Sequence, residues 1–437
     1  MSTSPSKPLF TVIIPTKDRS DYMYHTLRTC SLQDYENLEI IVSDDGSTDN
    51  LKEIVEEAAR KDPRIRYVSP GNGESVGMRD NFEFALDQVK PGYVLALGGD
   101  DALLPYGISR MWEILEATGQ EILTWPAPAY FYPKTKMETG QLIVHAKYGR
   151  IKKGTRIIKS KQFLERQAKN LSYVSDIESP MFYVKSVVST RLVDKVRSRS
   201  SDGRFYACST PDGYSGIVLA GEVETYAFTE NPFSMHGVSP TSQGVGYLSD
   251  TKEANSRSED FFKKAKNIPM HRELATQEYS PLITVMTADY LLTARDLPGW
   301  PGIFPPIDFK QLLTQSISEL SDNLFAYDKV SRELGILHRI AKYHGLEDFF
   351  KSKVRSAHRN KRNTLEGNAI SAGRIYLDAN QFNIHNVYDA VYVANYIHQI
   401  IPKLTFSTLL GFIKNSIKYG LSGKSKGAAL PNEEAWL

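Results

Sequence analysis

Short apolar runs alternate with amphipathic stretches along the first third of the chain. The runs are rich in β-branched and aromatic residues, which is typical of buried strands. They lie at residues 10–14, 38–42, 65–68 and 93–97. Between them, apolar residues recur at spacings of three and four, as in 51–58, which indicates helices packed on one face. Since strands that alternate with helices form parallel sheets, this order predicts an α/β fold with a Rossmann-like, mostly parallel sheet flanked by helices.

The pattern becomes mixed after residue 121 and helical after residue 306. Further strands are predicted at 122–125 and 141–147, and further helices at 161–169 and from Asp212 onward. The stretch 231–246, rich in Ser, Gly and Pro, predicts a loop, and 298–306 (PGWPGIFPP) predicts a linker. The predicted segments are a disordered N-terminus (1–8), an α/β domain (9–250) with halves 9–110 and 111–250, a helical connector with its linker (251–306), and a C-terminal, mainly helical domain (307–437).

Composition narrows the class of protein. With 437 residues, 41% of them hydrophobic and 24% charged, the chain resembles a globular protein of two or three domains. A net charge of +2 gives no electrostatic reason to expect a nucleic acid partner. Two cysteines exclude a disulfide framework and favour a reducing compartment. Residues 1–8 lack an apolar core, and no run reaches about 18 apolar residues, so we expect neither a secretory signal nor a membrane-spanning helix.

Two acidic doublets stand at the ends of predicted strands. Asp44-Asp45 follows the run 38–42, and Asp100-Asp101 follows the run 93–97. The carboxyl ends of parallel strands share one edge of a sheet, which is where ligands bind in such folds. Crowded carboxylates repel one another unless a hard cation or a donor-rich ligand compensates their charge. The doublets therefore predict a metal-dependent site that uses a nucleotide.

Four segments together resemble the family 2 glycosyltransferases. They are 12–19 (VIIPTKDR), 39–49 (EIIVSDDGSTD), 79–81 (RDN) and 98–101 (GGDD). Each segment is short, but all four stand in the family's order and spacing. The resemblance implies an inverting enzyme with the GT-A fold, in which the half 9–110 binds the nucleotide and the half 111–250 binds the acceptor.

The resemblance implies roles for residues at the first two strand ends. In the family the first loop lines the nucleotide, and Pro15, Thr16 and Asp18 match it here. Asp45 matches the position that recognises the base, and a carboxylate can accept a hydrogen bond from a pyrimidine N–H. A purely structural interpretation stays open, in which the first doublet begins a turn and Ser47 caps the next helix.

The diphosphate and the metal are expected at the other two segments. Arg79 matches an arginine that approaches the diphosphate, with a solvated arginine in a helix's first turn as the alternative. Asp100-Asp101 matches the metal motif, which implies Mn²⁺ or Mg²⁺ bound together with the diphosphate. We assign Asp101 to the metal and Asp100 to the metal or the ribose. Gly98 stands where the fuller motif has an acid, so the ligand set is thinner than usual.

Inversion also requires a general base that accepts the proton of the acceptor hydroxyl. In the family this is an Asp at the start of a helix well after the metal motif, and Asp212 fits that place. A helix N-terminus favours the ionised carboxylate. An ordinary helix-capping role is the alternative, and Asp176, Glu178 and Asp202 are the competing acids.

A C-terminal loop often supplies a metal ligand or a phosphate donor in such enzymes. His236 stands in the predicted loop 231–246 and is the candidate metal ligand, with an ordinary surface histidine as the alternative. Ser239, Thr241 and Ser242 are candidates to contact the diphosphate when the loop closes.

The C-terminal region carries a basic amphipathic segment at 403–421. From 390 to 432 the chain has no Asp or Glu, while lysines and apolar residues recur at helical spacing. Such a segment is typical of a membrane-surface helix. Packing on the preceding domain is an alternative, and so is an oligomer contact through the stripe Tyr388, Tyr392 and Tyr396.

The sequence therefore predicts a metal-dependent, inverting hexosyltransferase-type glycosyltransferase with a UDP- or dTDP-linked sugar donor. By the resemblance, the acceptor is a saccharide or a lipid-linked saccharide, and the product is a surface polysaccharide, lipopolysaccharide or glycolipid. We expect a cytoplasmic protein, with peripheral attachment to the cytoplasmic membrane face as a hypothesis. A sugar nucleotidyltransferase is an alternative, although the loop after the first strand has no Gly. A non-catalytic scaffold on a retired transferase domain is another.

Overall fold

A computed structural model describes most of the chain. The described residues are 7–71, 73–135, 138–145, 154–248, 252–265, 268–275, 278–322, 327–360, 367–371, 373–400, 426–431 and 433–436. The basic segment 403–421 lies outside them, so its predicted helix stays a prediction.

Strands and helices alternate through the first third of the chain, as the apolar pattern predicts. The strands are β1 (Phe10–Thr16), β2 (Leu38–Asp44), β3 (Ile65–Val68), β4 (Tyr93–Ala96), β5 (Ala102–Leu103), β6 (Ile122–Thr124), β7 (Ala129–Phe131), β8 (Gln141–His145), β9 (Thr155–Lys159), β10 (Ser186–Ser189), β11 (Thr225–Thr229), β12 (Ser234–Val238), β13 (His358–Asn360), β14 (Ala369–Ser371), β15 (Arg374–Asp378) and β16 (Lys426–Ala429). The helices are α1 (Ser20–Ser31), α2 (Leu51–Lys61), α3 (Met78–Asp87), α4 (Gly107–Thr118), α5 (Ser160–Asn170), α6 (Thr190–Arg197), α7 (Asp212–Gly221), α8 (Gln243–Leu248), α9 (Lys252–Ala265), α10 (Ile283–Arg295), α11 (Phe309–Ser321), α12 (Tyr327–Tyr343), α13 (Glu347–Ser356) and α14 (Val387–Ile400).

The main sheet is mixed, with a parallel half built from the first third of the chain. Within the described residues it has eight strands in the order β3-β2-β1-β4-β10-β6-β11-β9. The first four are parallel, and β1 pairs with both β2 and β4. β10 runs antiparallel to its neighbours β4 and β6, whereas β6 and β11 are parallel. The predicted α/β fold class is confirmed, and the carboxyl ends of β1, β2 and β4 meet at one edge.

Helices cover both faces of this sheet because side chains alternate along each strand. On β1, Val12 and Ile14 belong to the apolar cluster formed with α1, α2 and α4, whereas Ile13 belongs to the cluster that includes α3. All three side chains are fully buried. Each such burial contributes about 1.5–3 kcal/mol, so the apolar strands hold the polar strand ends in place.

A second sheet packs at the edge where the strand ends meet. Its order is β14-β15-β8-β7-β12-β5 within the described residues. β12 pairs antiparallel with β5 and parallel with β7. The loop predicted for 231–246 is therefore wrong at Ser234–Val238, and α8 begins at Gln243. The local pattern missed β12 because its pairing partners lie far away in the sequence.

The described C-terminal region is mainly helical, as predicted, but it also contributes strands to the second sheet. β14 and β15 form a hairpin, and β15 pairs with β8. The pattern indicated helix there, and α14, which follows, packs against α1. The predicted domain boundaries stay predictions. Among the described helices, none is both long and apolar enough to cross a membrane.

The predicted linker 298–306 packs against the helix that carries Asp212. The indole Nε1 of Trp300 donates to the carbonyl oxygen of Val218 at 3.0 Å, and the indole is buried. A Cβ on Gly221 would lie 2.2 Å from the indole ring, so only glycine fits at this position of α7. Trp300 thus anchors the carboxyl end of α7.

We expect Gly221→Ala to destabilise the fold by about 1–3 kcal/mol, because the new methyl group overlaps the Trp300 indole. Gly244→Ala is the matched control, since a Cβ on this exposed α8 glycine meets no atom within 4 Å. The control should be neutral or stabilising by up to about 1 kcal/mol. Chemical denaturation followed by circular dichroism measures the free energy of unfolding of both variants. Equal midpoints for the two variants would contradict the anchoring role of Trp300.

Candidate active site

The loops after β1 and β2 are tied together by side chains of both. The amide of Asp18 donates to Ser47 Oγ at 2.8 Å, and Asp18 Oδ1 accepts the amide of Thr48 at 2.8 Å. The amide of Ser20 donates to Asp49 Oδ2 at 2.9 Å, at the start of α1. Asp18, a predicted nucleotide contact, therefore also fixes the geometry of the first loop.

The first acidic doublet is buried and engaged by the protein itself. Asp44 accepts the amide of Ser47 at 2.9 Å and the Tyr67 hydroxyl at 2.7 Å. Asp45 accepts the amide of Val76 at 2.6 Å and the hydroxyl of Ser75 at 2.7 Å, with the Gly77 amide at 3.2 Å. These bonds hold the segment before α3 against the end of β2. Recognition of a base by Asp45 stays a prediction.

The other predicted nucleotide contacts border the same edge. Pro15 and Thr16 end β1, and the Thr16 carbonyl accepts the Asp45 amide at 2.9 Å. The buried Thr16 hydroxyl makes no hydrogen bond with the described residues. Arg79 lies in the first turn of α3, where its guanidinium donates to Asp80 at 2.9 Å.

Arg19 and three hydroxyl-bearing residues surround Asp100. Asp100 Oδ2 lies 3.1 Å from Arg19 Nη1 and accepts the hydroxyls of Ser239 at 2.6 Å and Ser242 at 2.8 Å. Thr241 contacts Arg19 in turn. Burial by itself would raise the pKa of Asp100, but Arg19 and the hydroxyl donors outweigh it and hold that pKa below its ordinary value. Asp100 Oδ1 accepts no hydrogen bond from the described residues.

Asp101 is fully buried and joins its own loop to β12. Oδ2 accepts the amide of Gly98 at 2.5 Å, and Oδ1 accepts the amide of Gly237 at 2.8 Å. His236 Nδ1 lies 3.2 Å from Oδ1. Desolvation opposes a charged imidazole, but the Asp101 carboxylate outweighs this effect and raises the pKa of His236. A Cβ on Gly237 would lie 1.7 Å from the Asp100 carbonyl oxygen, so the close approach of β12 requires glycine.

Gly98 has no room for a side chain. A Cβ there would lie 2.6 Å from the Tyr183 hydroxyl, 2.9 Å from Asp101 Oδ2 and 3.2 Å from Asp100 Oδ1. The Tyr183 hydroxyl therefore occupies the space beside both carboxylates that an acidic residue at 98 would fill. Burial raises the pKa of Tyr183 well above its usual range, and the charges of Asp101 and Asp100 add to that effect.

A divalent cation fits this donor set only in part. Asp100, Asp101 and His236 are ligands of the right chemistry for Mn²⁺ or Mg²⁺. However, both oxygens of Asp101 are already committed to main-chain amides, which leaves Asp100 Oδ1 as the open carboxylate oxygen. Within the described residues, no three His, Cys, Asp or Glu side chains form a metal site on their own. A cation here would need oxygens from a bound diphosphate.

Asp212 begins α7, and one of its carboxylate oxygens has no partner. Oδ2 accepts the Tyr173 hydroxyl at 3.0 Å, whereas Oδ1 is buried and makes no hydrogen bond with the described residues. Burial raises the pKa of Asp212, while the Gly213 amide and the Tyr173 hydroxyl lower it. The sequence argument that a helix N-terminus keeps this group ionised is therefore outweighed by desolvation.

The three competing acids are engaged elsewhere. Asp176 and Glu178 both pair with Arg166, at 3.0 Å and 2.8 Å. Asp202 is exposed and bonds within its own turn, to Ser200 and Arg204. Asp212 differs from all three because one of its carboxylate oxygens, Oδ1, is buried and makes no hydrogen bond with the described residues.

Tyr183 and His236 lie within electrostatic range of both the acidic motif and Asp212. The Asp212 charge contributes to the raised pKa of both residues, as do the charges of Asp101 and Asp100. The sequence assigned no role to Arg19 or Tyr173, and it indicated Tyr183 only as part of a segment, 179–183, expected to shape the acceptor side. Arg19 lay within a motif that resembled the family, which could have drawn attention to it. The two tyrosines carried no local signal, because only the fold brings them to the carboxylates.

Comparisons with known proteins find similarity in the first half of the chain. Residues 11–190 match the family "Glycosyl transferase family 2". The chain is 35% identical over 106 residues to the GalNAc(5)-diNAcBac-PP-undecaprenol beta-1,3-glucosyltransferase of Campylobacter jejuni, which covers 24% of this chain and 34% of the relative. It is 31% identical over 98 residues to the chondroitin synthase of Pasteurella multocida, covering 22% of this chain and 10% of that protein. The match thus spans about a third of the first relative's length and less of the second.

Solved structures show more distant similarity. S. aureus TarS 1–349 in complex with UDP-GlcNAc has a TM-score of 0.41 and 13% identity, covering 81% of this chain and 94% of that chain. The mannosyltransferase PcManGT from Pyrobaculum calidifontis in complex with GDP-Man and Mn²⁺ has a TM-score of 0.36 and 13% identity, covering 80% and 85%.

The packing at Gly98 predicts a measurable coupling with Tyr183. Gly98→Ala should destabilise the protein by about 1–3 kcal/mol, because its methyl group overlaps the Tyr183 hydroxyl. In a Tyr183→Phe background the hydroxyl is gone, so the same substitution should cost at least about 0.5 kcal/mol less. Urea denaturation of the four proteins gives this coupling free energy. Strictly additive effects would show that the Tyr183 hydroxyl does not fill the space beside Gly98.

Proposed function

Residues 11–190 of this chain belong to glycosyl transferase family 2, and on that premise we propose that the protein is an inverting glycosyltransferase with a nucleotide-sugar donor. The sugar passes from the nucleotide diphosphate to an acceptor hydroxyl. The observation that carries the proposal is the carboxylate of Asp212 at the start of α7, whose buried Oδ1 makes no hydrogen bond with the described residues.

The donor is proposed to bind along the edge formed by β1, β2 and β4. Pro15, Thr16 and Asp18 line the nucleotide, Asp45 faces the base, and Arg79 approaches the diphosphate. The unpartnered Thr16 hydroxyl supports this assignment, because a buried donor without a partner costs free energy unless a ligand satisfies it. A UDP- or dTDP-linked sugar is the donor class that we propose.

Mn²⁺ or Mg²⁺ is proposed as the cofactor. When bound, the cation offsets the negative charge that develops on the departing nucleoside diphosphate. Asp100 is the better-placed carboxylate, because Oδ1 is open whereas both oxygens of Asp101 hold main-chain amides. His236 is a candidate further ligand. The roles of Arg19, Ser239 and Ser242 are to neutralise and orient Asp100.

Asp212 is proposed as the general base. Burial raises the pKa of Asp212, which makes its carboxylate a stronger proton acceptor than that of an exposed Asp. Since the reaction needs the ionised form, the rate should rise as the pH passes upward through this pKa. The free Oδ1 is the oxygen available to the acceptor hydroxyl.

The acceptor is proposed to be a saccharide or a lipid-linked saccharide of surface polysaccharide or glycolipid synthesis. The Campylobacter relative is by its name a glucosyltransferase for an undecaprenol-linked saccharide, and the Pasteurella relative a chondroitin synthase. Both names are compatible with such an acceptor class.

We expect Asp212→Asn to lower kcat by roughly 10²–10⁴-fold with little change in donor affinity, because the amide cannot accept the acceptor's proton. Release of nucleoside diphosphate from a panel of sugar nucleotides measures kcat, and calorimetry measures donor binding. Asp202→Asn is the matched control, since Asp202 is exposed and bonds only within its own turn. EDTA should abolish turnover, and Mn²⁺ or Mg²⁺ should restore it.

Three results would contradict the proposal in different ways. Full activity of Asp212→Asn would remove Asp212 from the role of base. Pyrophosphate release from a nucleoside triphosphate and a sugar phosphate would favour a nucleotidyltransferase. Absence of donor binding with every sugar nucleotide would favour a non-catalytic scaffold.

Peripheral contact with an anionic membrane is proposed as a second property, carried by an exposed tyrosine surface. This surface comprises the exposed Tyr24, Tyr106, Tyr392 and Tyr396 and the partly buried Tyr388, with Arg28 against Tyr24 and Tyr388. Tyr396 is 63% exposed and Tyr106 56%. Arg28 lies 3.6 Å from the centre of the Tyr388 ring, and that ring contacts Tyr392. Tyrosines with a nearby cation are typical of membrane interfaces.

The chain itself favours an anionic lipid surface as the partner. From 401 to 425, directly after α14, the sequence has four lysines and no acidic residue. In the sequence, these lysines follow α14, the helix that carries Tyr388, Tyr392 and Tyr396. Cations near an anionic membrane each contribute about 1 kcal/mol, and aromatic side chains add apolar contact.

We expect the protein to cosediment with vesicles that contain phosphatidylglycerol, and more weakly as salt increases. The variant Tyr392→Ser/Tyr396→Ser should bind roughly tenfold more weakly, because it loses two exposed aromatic side chains. Tyr343→Ser is the matched control, since Tyr343 is 61% exposed on α12, away from α14. Equal binding of both variants would contradict the proposal. A dimer in light scattering that only the double variant loses would assign the surface to a second copy.

A further inference from the structure

Two hydrogen bonds and one ring contact link Asp212 to α10, outside the matched segment 11–190. The Tyr173 hydroxyl donates to Asp212 Oδ2 at 3.0 Å. The Tyr173 ring meets the Tyr290 ring edge to face, with centres 5.4 Å apart. The Tyr290 hydroxyl lies 2.5 Å from Thr210 Oγ1, two residues before Asp212. These contacts thus run from Asp212 through Tyr173 and Tyr290 to Thr210, which lies in the same segment as Asp212.

Packing leaves these two rings little freedom. Tyr173 and Tyr290 are both buried. A Cβ on Gly213 would lie 2.4 Å from the Tyr290 ring and 2.7 Å from the Tyr173 ring. The first turn of α7 is therefore pressed directly against both tyrosines, which requires glycine next to Asp212. The amide of Tyr173 also donates to Thr287 Oγ1 on α10 at 3.2 Å, so its main chain is fixed as well.

We propose that Tyr173 is a positioning residue for Asp212, held by Tyr290 and Thr210, and that it directs the free Oδ1 of Asp212 towards the acceptor hydroxyl. The inference rests on the proposed function, since it assigns a role to Tyr173 in presenting the general base. It places α10 within the active site, although this helix lies beyond the segment that resembles the family. The two oxygens of the Asp212 carboxylate then have different roles: Oδ2 accepts the hydrogen bond of Tyr173, and Oδ1 accepts the proton of the acceptor hydroxyl.

The titratable groups around Asp212 fix the expected sign of the pH effect. The groups that interact electrostatically with Asp212 are Tyr173, His236 on β12, Tyr290 on α10, Tyr247 on α8, and Tyr183, Tyr206 and Tyr279 in connecting segments. Burial raises the pKa of Asp212, and the Tyr173 hydroxyl and the His236 charge lower it. Removal of the Tyr173 hydroxyl therefore raises the pKa of Asp212 further, so the acidic limb of the pH–rate profile moves to higher pH.

The test compares Tyr173→Phe with Tyr214→Phe. Both variants keep the ring and lose a buried hydroxyl, but the Tyr214 hydroxyl makes no hydrogen bond with the described residues. For Tyr173→Phe we expect kcat to fall roughly tenfold on the acidic side, the acidic limb to move upward, and donor KM to stay unchanged. Tyr214→Phe should keep the wild-type limb. Tyr290→Phe should move the limb in the same direction by less, and add little to Tyr173→Phe.

A measurement independent of turnover supports the kinetics. Infrared difference spectra of each protein minus its Asp212→Asn counterpart report the protonation of this one carboxyl group as the pH changes. The Asp212 band should titrate at higher pH in Tyr173→Phe than in the wild type. An unchanged titration, or the same shift in Tyr214→Phe, would overturn the inference.

The outcomes separate the inference from the proposed function. If Asp212→Asn keeps full transferase activity, the assignment of the base fails and the role of Tyr173 fails with it. If Asp212→Asn is inactive while Tyr173→Phe behaves like Tyr214→Phe, the base assignment stands and only the positioning role is wrong.

Discussion

The site depends on the hydrogen bonds that the buried carboxylate of Asp101 accepts. This carboxylate accepts the amides of Gly98, in its own loop, and of Gly237, on a strand that lies 136 residues further along the chain. Burial of a charge costs free energy unless hydrogen-bond donors surround it. The two amides and His236 offset this cost for Asp101, and the carboxylate in turn holds the Gly98 loop and β12 together. Because β12 is fixed in this way, Ser239 and Ser242 reach Asp100.

Protein donors offset part of the charge of the second doublet. Arg19 and hydroxyl donors offset Asp100, while main-chain amides and His236 offset Asp101. One oxygen, Asp100 Oδ1, accepts no hydrogen bond from the described residues and stays open towards a ligand. The glycine at position 98 has a packing reason. The Tyr183 hydroxyl fills the volume that a side chain at position 98 would need, so this tyrosine stands where the fuller motif has an acidic side chain.

Asp212 shows how burial competes with local electrostatics. A helix N-terminus stabilises a carboxylate by roughly 0.3–1 kcal/mol at an exposed position. At Asp212 desolvation outweighs that effect and raises the pKa. Of the surrounding tyrosines, Tyr173 donates a hydrogen bond to the Asp212 carboxylate, and the others surround it with weakly polar rings. Such an environment suits a group that must take up a proton, and it arises from α8, α10 and connecting segments rather than from the motif loops.

The sequence by itself determined the α/β alternation, the strand ends that carry the two doublets, and Asp212 at a helix start, because apolar periodicity and turn residues are local signals. It indicated a loop at 231–246, where β12 forms, and helix at 369–378, where β14 and β15 form, because pairing with β5, β7 and β8 decides those segments. Only the tertiary structure decided that Arg19 neutralises Asp100, that Tyr183 fills the space beside Gly98, and that Tyr173 holds Asp212. Contacts between residues distant in the chain leave no periodicity in the sequence, so packing alone determines them.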